Sequence, residues 1–232
     1  MAHLEQMKFV ETLKHEFPNF FVNQTVAEIG SLNINGSIRD YFENCHYTGF
    51  DVAEGAGVDQ VIQGQLIGEP TASYDVTISC ECFEHNPYWV ETFSNMLRLT
   101  RPGGLVVMSC ATHGRPEHGT RRSDEYSAPL ATLVGWQDYY QNLSSDDFLK
   151  TFHLKGWFEG FQFLFNANTM DLCFYGIKKG GEISYGNIFN IINAAMGFNA
   201  RHIYGWLRTT GDIVVMNGSA GEAVLWTNFN EH

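Results

Sequence analysis

A short apolar run, Val26-Ala27-Glu28-Ile29, carries an acid close to its end and opens into the turn Gly30-Ser31-Leu32-Asn33-Ile34-Asn35-Gly36. Twenty-one residues beyond Gly30, a second apolar run, Tyr47-Thr48-Gly49-Phe50, stops at Asp51. A strand, a tight turn whose backbone N–H groups meet a ligand, a helix, and an acid at the tip of the next strand make the plan of a nucleoside-binding α/β half-domain. The Asp51 carboxylate then accepts hydrogen bonds from both hydroxyls of a ribose.

Histidines and arginines supply a second group of reactive side chains. His85 follows the apolar run Val76-Thr77-Ile78-Ser79 by a few residues, and His113 and His118 lie in A-T-H-G-R-P-E-H-G-T over 111–120. Histidine is the usual side chain for taking a proton near neutral pH. His113, Arg115, Glu117, His118, Arg121 and Arg122 crowd into ten residues, and Gly114, Pro116 and Gly119 put them on a loop. Arginines on such a loop take a carboxylate or phosphate in bidentate fashion, or else they form a solvated, salt-bridged surface. Tyr139, Tyr140 and Asn142 form either a lid or packing under a connecting segment.

The elements that must position these groups alternate. Leu4, Met7, Phe9, Val10, Leu13 and Phe17 recur at three- and four-residue intervals and predict a helix closed by Pro18, packed beside the first strand. Strands are expected over 26–29, 47–50, 58–62, 76–79 and 105–108, with a short helix over 37–44 and a longer one over 88–99. Only a loop fits between Asp51 and Val58, because a crossover helix takes about a dozen residues. Ser144 or Ser145 caps a helix over 146–154 that Gly156 ends, and 161–165 with 170–177 reads as a closing strand pair. Beyond it, a helix over 187–207 and a hairpin of 213–216 against 223–226 make an addition. Strands alternating with helices give a parallel sheet whose ligand lies beyond the carboxyl ends of the strands.

Composition limits the partners. With 232 residues, 44% of them hydrophobic, the chain buries one good core, and its net charge of −12 argues against a nucleic-acid backbone as partner. The five cysteines are an odd set, three of them inside or at the ends of apolar strand-like runs, which suits buried, reduced thiols and a cytoplasmic protein. Cys80-x-Cys82 is too close for an ordinary zinc clip, no acid pair suits magnesium, and no metal is expected. No apolar run reaches the length of about 18 residues that a membrane span needs, and the N-terminus shows no leader pattern.

Five pieces occur together in one order: A-E-I-G-S at 27–31, G-F-D at 49–51, S-Y-D-V-T-I-S at 73–79, C-F-E-H at 82–85, and L-R-L-T-R-P-G-G-L-V-V-M-S at 97–109. In these the chain resembles the class I S-adenosylmethionine-dependent methyltransferases over roughly 25–179. The resemblance implies a Rossmann-like, seven-stranded, mostly parallel sheet with its last strand antiparallel and helices on both faces, forming a domain over 1–181. Residues 1–24 are then a helical lead-in and 182–232 a C-terminal extension, the expected surface for any self-association. It further implies S-adenosylmethionine as cofactor: Glu28, Gly30, Ser31, Asn35 and Gly36 around the methionine part, and Asp51 with Val52 at the ribose. Gln65 and the Leu66 amide stand at the adenine edge, and Cys80 and Glu81 close the pocket. Glu81 either faces the cofactor or caps the following helix, and His85 either reacts or anchors the Glu84 turn.

The chain departs from the family in its glycine turn, which has two glycines where three are usual. Asn33 or Asn35 is expected to supply the left-handed position there. The resemblance implies methyl transfer, and the available histidine bases with the arginine loop point to oxygen of a small oxygen-rich or anionic acceptor, a sugar or a carboxylated metabolite. His118 is preferred over His85 as catalytic base, and His113, Arg115, Glu117, Arg121, Tyr139 and Tyr140 as substrate contacts. A small-molecule N-methyltransferase and a non-catalytic scaffold that binds the cofactor are the alternatives. A nicotinamide-dependent dehydrogenase is disfavoured, because Tyr175 and Lys179 of its Tyr-x-x-x-Lys pattern fall in a strand-like run.

Overall fold

The computed structural model describes residues 4–180 and three further strands, Tyr204–Leu207, Ile213–Met216 and Val224–Trp226. Seven strands make the main sheet: β1 (Thr25–Ile29), β2 (His46–Asp51), β3 (Gln60–Val61), β4 (Tyr74–Cys80), β5 (Thr100–Ala111), β6 (Phe158–Asn166) and β7 (Asp171–Lys178). Their order is β3-β2-β1-β4-β5-β7-β6. Strands β1 to β5 pair in parallel, and β7 runs antiparallel to both β5 and β6. The expected Rossmann-like α/β class therefore holds.

Alternation along the central strands builds two cores. Val76, Ile78, Leu105 and Val107 join one face, against Phe9, Val10 and Leu13 of helix α1 (Leu4–Glu16). Val106 and Met108 join the other, against Trp89, Phe93, Met96 and Leu97 of helix α2 (Trp89–Leu99). Those four residues recur at spacings of four, three and one, which is the stripe an amphipathic helix buries.

Several elements differ from expectation. In place of the helix, residues 37–44 hold a 3₁₀ turn, Ile38–Tyr41, where the Ser37 hydroxyl accepts from the Arg39 amide, and a single bridge from Glu43 to Val22. The third strand shrinks to two residues at the sheet edge. The helix expected over 146–154 divides into α4 (Ser145–Thr151) and α5 (Leu154–Trp157), following α3 (Pro129–Leu133). Gly156 lies inside α5 rather than ending α4, whose N-terminus is closed by reciprocal bonds between Ser144 and Asp147.

Past residue 180, β8 (Tyr204–Leu207), β9 (Ile213–Met216) and β10 (Val224–Trp226) form an antiparallel sheet in the order β10-β9-β8. The hairpin strands fall where expected. Tyr204–Leu207, the end of the expected helix, is a strand, and 187–203 lies outside the described residues. No helix among the described residues is long and apolar enough to cross a membrane.

Candidate active site

A cleft with roughly 880 Å³ of empty space, part of it open to solvent, lies beyond the carboxyl ends of β1, β2 and β4. Glu28, Gly30, Ser31, Gly36, Asp51, Val52, Cys80 and Glu81 line it, as does His85. Gln6 of α1 reaches it from one side, and Ser127–Ala131 with Trp136 forms a rim on the other.

The turn after β1 fixes the cleft floor. Gly30 has φ +80°, and a Cβ there would sit 2.6 Å from Cys82 Cβ. Only glycine satisfies both the left-handed backbone and that approach. Neither Asn33 nor Asn35 takes the left-handed conformation expected of them. The Asn33 carboxamide oxygen instead accepts from the Gly36 amide at 2.9 Å, and Gly36 (φ +135°) turns the chain. A side-chain hydrogen bond thus does the work of the missing glycine. Asn35 is exposed and does not line the cleft.

Asp51 bridges the turn and the tip of β2: one carboxylate oxygen accepts from the Leu32 amide at 3.0 Å and the other from the Val52 amide at 2.7 Å. Burial raises its pKa, and the two amides act against that. Glu28 accepts from the Tyr47 hydroxyl at 2.9 Å, yet burial pushes its pKa up to about 7. The buried Ser31 hydroxyl has no protein partner. Glu81 adopts φ +51° and its carboxylate accepts from the Ser109 hydroxyl at 2.9 Å. A left-handed non-glycine residue at a strand tip is a form of strain common in functional sites. Gln65 and Leu66 do not line the cleft; Ile62 and Gly64 do, and Leu66 is exposed.

The loop after β5 is built differently. Arg115 binds Asp171 at 2.9 Å and the Thr169 carbonyl; Arg121 binds Asp138 at 2.6 Å; Arg122 binds Glu117 at 2.7 Å. None of His113, Arg115, Glu117, Arg121, Tyr139 and Tyr140 lines the cleft, and His113 is exposed. Tyr139 donates to Gln141, and Tyr140 donates to the Pro116 carbonyl.

His118 is also outside the cleft lining, but its ring meets that of His85 edge-on at 4.9 Å, with Tyr140 against both. Burial, then His118, holds His85 down to about 3. Burial likewise lowers His118. Burial, then the Glu81 carboxylate, raises Glu84 to about 8. The dehydrogenase pattern finds no support: Tyr175 on β7 donates to Gln162 in the interior, and Lys179 follows the end of that strand.

Sequence reasoning missed Gln6, Cys82, Asn86, the 127–131 rim and Trp136. Gln6 shares the helical face of Phe9, Val10 and Leu13, and Asn86 directly follows His85, so both carried a positional signal. The rim carried none, because its position depends on how the 112–143 segment folds back.

Residues 35–108 match the family model described as "Methyltransferase domain". Over 87 residues the chain is 33% identical to prosolanapyrone synthase of Alternaria solani, a match that covers 37% of this chain and 3% of that protein. Among solved structures it is similar to the 1,6-didemethyltoxoflavin-N1-methyltransferase of Burkholderia thailandensis, solved with S-adenosylhomocysteine. That likeness has 12% identity and a TM-score of 0.51, over 74% of this chain and 78% of the other. The phosphoethanolamine N-methyltransferase 2 of Haemonchus contortus, solved with S-adenosyl-L-methionine, gives 15% identity and a TM-score of 0.51, over 74% and 52%. The described chain has the class I, Rossmann-like methyltransferase fold, and the matched segment carries β2, β3, β4 and the part of β5 up to Met108.

Proposed function

We propose that the cleft binds S-adenosylmethionine and that the chain transfers its methyl group to a small acceptor. The observation that carries this reading is the convergence of Glu28, Gly30, the unpartnered Ser31 hydroxyl, Asp51 and Glu81 on one cleft at the strand tips. These residues fit the cofactor. Asp51 retains lone pairs for ribose hydroxyls, Glu28 and Glu81 face its cationic amino acid part, and the Gly30 backbone leaves room beside Ser31. Val52 and Ile62 offer apolar contact to the base at the β2–β3 side in place of Gln65 and Leu66.

When bound, the cofactor supplies a methyl group already activated by the adjacent sulfonium, so the protein's main task is alignment. His85 and Asn86 stand at the β4 side, away from the base, where an acceptor enters under the 127–131 rim and Trp136. The imidazole of His85 is placed to hydrogen-bond an acceptor hydroxyl, and this supports O-methylation. His85 now ranks above His118, which touches it without lining the cleft. The acid-paired arginines withdraw the support for a carboxylated acceptor, so an uncharged hydroxyl compound such as a sugar fits better. An amine acceptor is the competing outcome.

Calorimetry with S-adenosylhomocysteine tests the cofactor half, and absence of binding to the full chain overturns it. A panel of hydroxyl and amine compounds with labelled S-adenosylmethionine tests the other half. Label transfer to hydroxyls that is lost in His85→Ala, with cofactor affinity kept, supports the reading; transfer only to amines, or to none, refutes it.

A further inference from the structure

We propose that Glu84, His85 and His118 hold one divalent transition-metal cation of the zinc class. One carboxylate oxygen and two imidazole nitrogens, one per residue, all lie within 4.8 Å of one another. Three points that close have a common centre no more than about 2.8 Å from each, so a contraction of under about 1 Å reaches zinc bond lengths.

The three residues come from two loops locked together. Glu84 and His85 sit on the 3₁₀ turn Phe83–His85 after β4, and His118 arrives on the loop after β5. Gly119, at φ +67°, lies so near that a Cβ there would be 2.5 Å from His85 Cε1. This holds the second loop directly on the first.

Lone pairs converge in the space between them. His118 Nδ1 lies 3.1 Å from the Pro116 carbonyl, which only accepts, so Nδ1 carries the proton and donates it. That leaves the Nε2 lone pair facing Glu84 Oε1 at 4.0 Å. A backbone carbonyl behind one imidazole nitrogen, orienting the other, is the usual support of a metal-bound histidine. Glu84 and His85 are at least nine-tenths buried, and neither carboxylate oxygen nor either ring nitrogen has a hydrogen-bond partner of ordinary geometry. Two imidazoles and one carboxylate suit zinc, cobalt or ferrous iron rather than magnesium or calcium, which prefer oxygen ligands. Three protein ligands leave a position open, and because His85 lines the cleft, that position faces a water or an oxygen-bearing ligand there. The absence of metal expected from the sequence is replaced by this reading, which does not depend on methyl transfer.

The test uses the full chain, stripped with chelator and titrated calorimetrically with Zn²⁺ alone, without cofactor or acceptor. One tight equivalent is expected, weakened about 100-fold or more by His118→Ala and by Glu84→Gln and unaffected by the exposed His46→Ala. X-ray absorption of the zinc-loaded wild-type protein should show two imidazoles, light-atom donors and no sulfur, a readout that stands even where a variant fails to fold. No binding, sulfur ligation, or unchanged affinity in both variants overturns the site. Cofactor binding is measured separately, so failure here leaves the methyltransferase reading intact, and the reverse holds.

Discussion

The turn after β1 and the loop after β5 both border the strand tips, yet they treat their polar groups in opposite ways. In the turn, Ser31 keeps a buried hydroxyl without a partner, and just before it, on β1, burial pushes the Glu28 pKa up to about 7. In the loop, Arg115, Arg121 and Arg122 are neutralised by Asp171, Asp138 and Glu117. A surface that awaits a ligand leaves groups unsatisfied, whereas a surface whose charges satisfy one another is holding itself together. Density of charged residues is therefore a weaker sign of a binding site than an uncompensated group.

The largest contrast should come from the glycine that opens the turn. Gly30→Val forces a branched side chain into left-handed backbone against Cys82, which should cost about 3 kcal/mol or more and remove cofactor binding. Denaturant midpoints and S-adenosylhomocysteine calorimetry check it, and unchanged binding would dissolve the contrast. Next comes Glu28. With its folded pKa raised from 4.5 to about 7, the native state holds a proton that the unfolded chain has released, so stability is fully present below about pH 4.5. It declines as pH rises to about 7, by up to about 3 kcal/mol. Glu28→Gln should flatten that decline in melts taken between pH 5 and pH 8; a parallel decline in the variant would assign the effect elsewhere.

Asp51→Asn replaces one of the two carboxylate acceptors with an NH2 donor, so either the Leu32 or the Val52 amide loses its partner, and S-adenosylhomocysteine affinity should fall about 10- to 100-fold by calorimetry. The smallest effect belongs to the loop. Arg121→Ala should leave that affinity within about twofold and the melting temperature within about 2 °C, because its ion pair is solvent-exposed. A tenfold change in the affinity would show that the loop takes part in the cleft after all.

How far these features could be read in advance follows from their range along the chain. Asp51 and Gly30 were legible because local strand and turn patterns fix where they stand in a parallel sheet. Gln65 and Leu66 fall outside the cleft lining because the segment after β3 forms a 3₁₀ turn, Gly64–Leu66, which carries Leu66 outward and leaves Gly64 against the cleft. The left-handed turn position was assigned to asparagine, but a hydrogen bond from the Gly36 amide to the Asn33 side chain closed the turn by another route.

The sequence by itself determined the α/β alternation, the strand tips and the acid and glycine that stand there, since these depend on periodicity and near-neighbour chemistry. Tertiary structure alone decided that the arginines meet acids 5 to 56 residues away along the chain. It also decided that His118 comes to rest on His85 beside a buried Glu84. Spacing along a chain fixes what a strand presents at its tip, but a loop's charges find partners only once the loop has folded back on the sheet.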